Sequence, residues 1–206
     1  MKNLLISFEG IDGCGKSTQA KLLLNYFQSL GRTVSLHREP GGTDIGERIR
    51  DILLDANHTE MSPYTELLLY LSARAQITSQ IIIPALSRNE DVIMDRFMDS
   101  STAYQGYARG LGIECVQRLN LIATQGIIPD VTFVIDCDPA ISLNRLSLKP
   151  DRLESEGIAF MMKVREGFID LCHRESKRMV LINGERQIGV IEEDIKRHID
   201  AMVTSL

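Results

Sequence analysis

One short run near the start of the chain constrains its fold more than any other feature. Gly10-Ile11-Asp12-Gly13-Cys14-Gly15-Lys16-Ser17 fits the pattern G-x-x-x-x-G-K-[ST] and is followed by Thr18. It stands between an apolar run, Leu4–Glu9, and a helical pattern through Leu22, Leu23 and Phe27. That strand–loop–helix setting is the one in which the pattern cradles phosphate. The glycines let successive backbone N–H groups point inward at phosphate oxygens. The helix that follows adds its positive end. Lys16 puts a cation at the β- and γ-phosphates, and the Ser17 hydroxyl suits a Mg²⁺ ion. Gly10 through Thr18 are therefore the candidate nucleotide-binding residues. The motif is specific for nucleotide binding and silent on what the nucleotide is used for.

Further along, short apolar runs alternate with longer helical patterns. Strands are expected at Leu4–Glu9, Thr33–Arg38, Asp91–Asp95, Val131–Cys137 and Met179–Ile182. Such runs suit strands covered on both faces. Ser62-Pro63 reads as a helix cap with proline at the first helical position. Alternating βαβ units imply an α/β fold: a parallel five-stranded sheet in a three-layer α/β/α sandwich, with ligands at the carboxyl ends of the strands. At 206 residues, with no repeat or linker, residues 1–206 read as a single domain. Twenty-three basic against 28 acidic residues give a net charge of −5, which argues against a nucleic-acid or acidic-membrane partner. No apolar stretch is long enough for a membrane span. Cys14, Cys115, Cys137 and Cys172 are scattered, as free thiols in a reducing compartment would be.

The residues after the strands carry the chemistry. Asp12, beside a bound triphosphate, is repelled unless it has a further duty such as accepting a substrate hydroxyl; the alternative is a solvated turn aspartate. The second strand runs into Arg38-Glu39-Pro40-Gly41-Gly42-Thr43, where Thr43 can cap a helix carrying Arg50. Asp95-Arg96 ends the third strand: Asp95 can hold a Mg²⁺-bound water and Arg96 can clamp phosphoryl oxygens, or the two can form an internal ion pair. Ser101, Tyr104 and Gln105 supply hydroxyl and amide groups suited to a sugar or base edge. Tyr70 and Arg74, four apart on one helix, share a face that can receive a planar base; alone, such a pair is more often a core tyrosine and a solvated arginine.

Together these runs resemble the thymidylate kinases. The resemblance rests on Phe8-Glu9-Gly10 through Thr18, Arg38 to Thr43, Ser72-Ala73-Arg74-Ala75-Gln76, Asp95-Arg96-Phe97 to Gln105, and Pro129-Asp130 to Asp136. Asp151-Arg152-Leu153-Glu154 and Val164-Arg165-Glu166-Gly167-Phe168 continue it over nearly the whole chain. It implies transfer of the ATP γ-phosphoryl to dTMP with Mg²⁺, in a cytoplasmic homodimer. By position it assigns Asp12 to the deoxyribose 3′-hydroxyl, and Arg96 with Arg50 to the dTMP phosphate. Glu39 and Pro40 fall in the substrate loop and Tyr70 stacks on thymine. Arg74 and Gln105 read the base's polar edge with Ser101 nearby, and Tyr104 crowds the 2′ side of the sugar. Ser17 and Asp95 serve Mg²⁺.

The resemblance also implies a short helical lid, about residues 145–157, closing over the phosphates. Arg145 matches the position that stacks on adenine, which leaves Lys149 or Arg152 for the phosphates, since Gly13 stands where some relatives carry a catalytic arginine. Asn183 to Gln187 complete the adenine pocket by position. Ala73 departs from the aspartate often found before Arg74. A thymidine kinase of the same fold is the rival enzyme, but it wants a general base at the 5′-hydroxyl, whereas Arg50 and Arg96 anticipate a phosphorylated acceptor. A nucleotide switch protein would want a guanine-reading N-K-x-D segment, and none occurs in the chain.

Overall fold

The computed structural model describes residues 3–143, 145 and 151–204. Five strands, β1 (Leu5–Glu9), β2 (Val34–Arg38), β3 (Asp91–Asp95), β4 (Val131–Asp136) and β5 (Met179–Asn183), form one parallel sheet in the order β2-β3-β1-β4-β5. Each lies within a residue of its expected bounds at either end.

Both faces of the sheet are covered, which is why the strands read as nearly unbroken apolar runs. β1 is buried along its whole length. Phe8 stacks against Phe133, which in turn meets His198 edge-on, so this face belongs to α1 (Lys16–Ser29) and α9 (Ile188–Thr204). The other face takes Leu5, Val92 and Met94 against Ile77, Ile82, Ala85 and Phe97. Over it run α2 (Asp44–Leu54), α3 (Pro63–Ile77), α4 (Ile83–Ser87), α5 (Met98–Ser101), α6 (Ile113–Ala123) and α8 (Ile158–Arg174). The short α7 (Pro139–Leu143) follows β4.

The expected caps form. Thr43 Oγ1 accepts from the Gly46 N–H at 3.0 Å, and Ser62 Oγ from the Thr65 N–H at 3.1 Å with Pro63 behind it. Between α5 and Arg109 the helix widens over Thr102–Ala108, where the Arg109 N–H reaches back to the Tyr104 carbonyl at 2.9 Å. Such i→i+5 turns re-aim side chains, and this one carries Tyr104 and Gln105.

The strand order makes β1 and β3 neighbours whose onward connections depart in opposite directions, to β2 on one side and β4 on the other. Their carboxyl ends therefore bound a crevice, the ordinary ligand site of such sheets.

Candidate active site

Two clefts open at this edge with the phosphate loop between them. The first, about 450 Å³, is lined by Asp12, Arg50, Tyr70, Arg96, Ser101 and Gln105 among others. The second, about 1070 Å³, is lined by Gly13 to Thr18 and Arg145, with Gly184 and Arg186 from the segment after β5.

Asp12 sits where the two meet. Its Oδ1 accepts from Lys16 Nζ at 3.1 Å, on the second cleft's side, and from Arg96 Nη2 at 2.7 Å, on the first. Burial opposes its ionisation, but Arg96 and Lys16 outweigh burial and hold the carboxyl well below the usual range. Arg96 thus takes Asp12, across the crevice, as its carboxylate, and not its neighbour Asp95. Its backbone is left-handed at φ 71, a conformation that costs a non-glycine residue energy and marks functional turns. The Arg96 N–H donates to the Phe8 carbonyl at 2.9 Å and Nη1 to the Gly10 carbonyl at 2.9 Å, which turns the guanidinium over the phosphate loop. The same guanidinium lies 5.3 Å from the centre of the Tyr104 ring.

Behind Arg96 stands Glu9, fully buried, which the sequence reading did not single out. It accepts from the Phe97 N–H at 2.8 Å and from Ser100 Oγ at 2.5 Å. Ser100 in turn accepts from Arg96 Nη1 at 3.1 Å. Burial, with repulsion from Asp99, pushes the Glu9 carboxyl up to about 8.

In the far wall of the first cleft the Glu39–Pro40 peptide bond is cis, and the Pro40 carbonyl accepts from Arg50 Nη1 at 3.0 Å. Arg50 and Tyr70 both reach this cleft. Arg74 does not line it: the residue is 1% exposed and its guanidinium is filled by protein groups. Nε donates to Glu39 Oε2 at 2.9 Å, Nη1 to Ser101 Oγ at 2.8 Å and Asn120 Oδ1 at 2.7 Å, and Nη2 to the Phe97 carbonyl at 3.0 Å. The solvated-arginine alternative is thereby removed. Arg74 instead fixes Glu39 and Ser101, which do line the cleft.

Glu66, also absent from the sequence reading, joins three elements. It accepts from Gln105 Nε2 at 2.8 Å, from Arg109 Nη2 at 3.1 Å and from Arg152 Nη1 at 2.6 Å. The spacing could have found it, since Glu66, Tyr70 and Arg74 are four apart along one helix face.

Of the lid, residue 145 and residues 151–157 are described; Lys149 lies outside the described residues. Arg145 reaches the second cleft and Nη1 donates to the Gly13 carbonyl at 3.3 Å. Arg152 lines neither cleft. It is 8% exposed and donates to Glu66 and, through Nε, to the Leu53 carbonyl at 2.8 Å. Ser17 is exposed in the second cleft, and Asp95 is half-buried at the end of β3. Among the described residues no group of three or more His, Cys, Asp or Glu is placed to hold a metal ion.

A family model described as thymidylate kinase matches residues 8–195. The chain belongs to the thymidylate kinase family. It is similar to the thymidylate kinase of Thermoanaerobacter sp. (strain X514), 52% identical over 196 residues that cover 95% of this chain and 96% of the relative. The thymidylate kinase of Kosmotoga olearia is 45% identical over 194 residues, 93% of each chain. Among solved structures, the thymidylate kinase of Ehrlichia chaffeensis superposes with a TM-score of 0.80 at 32% identity, covering 97% of this chain and 99% of that one. As a member of the thymidylate kinase family the chain is a kinase that phosphorylates dTMP, on the α/β fold described above.

Proposed function

We propose that the first cleft holds dTMP, the second holds ATP, and the γ-phosphoryl group passes between them over the phosphate loop. The observation that carries this reading is the Lys16–Asp12–Arg96 array, one carboxylate shared by a cation from each cleft. Phosphoryl transfer needs positioning and charge stabilisation more than covalent help, and this array supports both. A dTMP phosphate oxygen bonds to the γ-phosphorus as the bond to the β–γ bridging oxygen breaks, leaving dTDP and ADP. Arg96 and Arg50 neutralise the acceptor phosphate, Lys16 and the loop N–H groups hold the donor phosphates, and Asp12 takes the sugar 3′-hydroxyl. Tyr70 stacks on the base, Tyr104 limits the 2′ side, and Arg74 acts through Glu39 and Ser101. Arg152 is engaged by Glu66, so of the two lid cations considered for the phosphates we assign Lys149 to them.

Ser17 and Asp95 offer hard oxygen donors without a dedicated protein cage, which fits Mg²⁺, an ion that keeps several waters and binds mainly through substrate phosphates. Held at Ser17 and Asp95, such an ion would supply positive charge to offset that of the donor phosphates. The chain is proposed to work as a single domain and as a homodimer, through exposed apolar side chains on α2 (Ile45, Ile52) and α3 (Tyr64, Leu68). The free cysteines suit a cytoplasmic, reducing location.

A coupled assay for ADP release, run with ATP and Mg²⁺ against dTMP, dUMP, dCMP, dGMP and thymidine, tests the reading. We expect dTMP to be turned over best and thymidine not at all. Faster turnover of thymidine would assign the chain to the nucleoside kinases instead.

A further inference from the structure

We infer that Glu66 is a positioning residue that sets the hydrogen-bond polarity of the base site, by forcing Gln105 to present its carbonyl, and not its amino group, to the acceptor base. This rests on the reading of the first cleft as the dTMP site. Glu66 touches no part of that cleft. It is 1% exposed and is surrounded by donors: Gln105 Nε2 at 2.8 Å, Arg109 Nη2 at 3.1 Å and Arg152 Nη1 at 2.6 Å. The Gln105 amide and the two guanidinium groups outweigh burial and keep the carboxyl below its usual range, so it stays ionised.

An ionised carboxylate can only accept hydrogen bonds. A glutamine amide has one donating and one accepting end, so its NH₂ must turn to Glu66. That leaves Oε1 as the end offered to the cleft, which Gln105 lines. Thymine and uracil present an N3–H donor there and pair with it. Cytosine presents a bare N3 acceptor, which would face the carbonyl lone pair to lone pair. An unmet buried polar group is costly, and sites of this kind reject the wrong partner strongly. The discrimination would originate in a side chain that makes no contact with the ligand, because the charge of Glu66 removes the freedom of Gln105 to turn over.

Glu66→Gln is nearly isosteric and restores that freedom, because a glutamine can donate to Gln105 as well as accept. We expect the ratio of kcat/KM for dTMP over dCMP to fall at least tenfold, while the ratio for dTMP over dUMP, whose bases share the same N3–H and O4, changes less than twofold. Glu66→Asp keeps an acceptor-only group, and is expected to lower kcat/KM for all three nucleotides while retaining the dTMP/dCMP ratio. A purely structural role would lower every rate together and leave both ratios intact in both variants, and that result overturns the inference. Should either variant fail to fold, the wild-type protein with bound dTMP gives the answer by NMR. Nuclear Overhauser contacts from the Gln105 amide protons to the Glu66 side chain support it, and their absence overturns it. If the wild-type chain does not phosphorylate dTMP at all, the reading of the cleft has failed and not the polarity inference alone.

Discussion

Burial at the end of β1 gives the Glu9 carboxyl a consequence that can be measured. Between its ordinary value of 4.5 and about 8 the folded chain keeps a proton that the unfolded chain has released. The stability associated with this group is therefore full at pH below 4.5, falls as pH rises, and is lowest above about 8. The slope in that window is at most about 1.4 kcal/mol per pH unit. Glu9→Gln removes the titration. In denaturant melts at pH 5.5 and pH 8 the wild-type protein should lose stability relative to the variant as pH rises. Parallel behaviour would mean that Glu9 is ionised throughout. Residues at the strand ends, such as Asp12 and Arg96, were readable in the sequence because loop chemistry follows strands. Glu9 was not, since a carboxylate inside an apolar run declares neither its burial nor its partners. Arg74 shows the same limit. Its place on the helix was evident from spacing, but the Glu39, Ser101 and Asn120 groups that fill its guanidinium come from distant parts of the chain.

Gly13 has φ +78, and a Cβ built on it would collide with the Ser142 backbone carbonyl at the end of α7. An arginine at this loop position would have to displace α7, which gives a steric reason for glycine there. Gly13→Ala should shift the phosphate loop, raise KM for ATP and lower kcat/KM at least tenfold. Gly31→Ala is the control. It shares a left-handed backbone, at φ +72, but meets open space, so it should cost only about 1 kcal/mol of stability and leave the kinetics alone. A Gly13→Ala enzyme that resembles Gly31→Ala would show that the loop yields without consequence. The strands and caps were readable because burial on both faces and Ser/Thr capping each leave a local pattern. The widened turn over Thr102–Ala108 leaves none. It packs against α6 and α8, which lie elsewhere in the sequence, and the aim of Tyr104 and Gln105 into the cleft had to be seen.

The proposed dimer places apolar side chains of α2 and α3 against a second copy. Replacing Ile45 and Leu68 together by aspartate should convert a dimer to a monomer in sedimentation velocity, with the fold intact by circular dichroism; a wild-type chain that sediments as a monomer would refute the assembly. Both residues are more than half exposed in the isolated chain, at 54% and 56%. In the sequence the homodimer is implied by family resemblance alone, since exposure is a property of the folded surface. Helix α3 joins this scale to the others. Tyr64 and Leu68 look outward from it, while Glu66 and Arg74 are buried on its inner side and Tyr70 lines the first cleft. A helix is a stiff rod with a fixed rise per residue, so its two sides cannot move independently. Under the proposed assembly, the free energy of pairing two subunits and that of filling the cleft are drawn from the same element. Reciprocity then requires that protein concentration affect acceptor affinity as much as acceptor affects assembly.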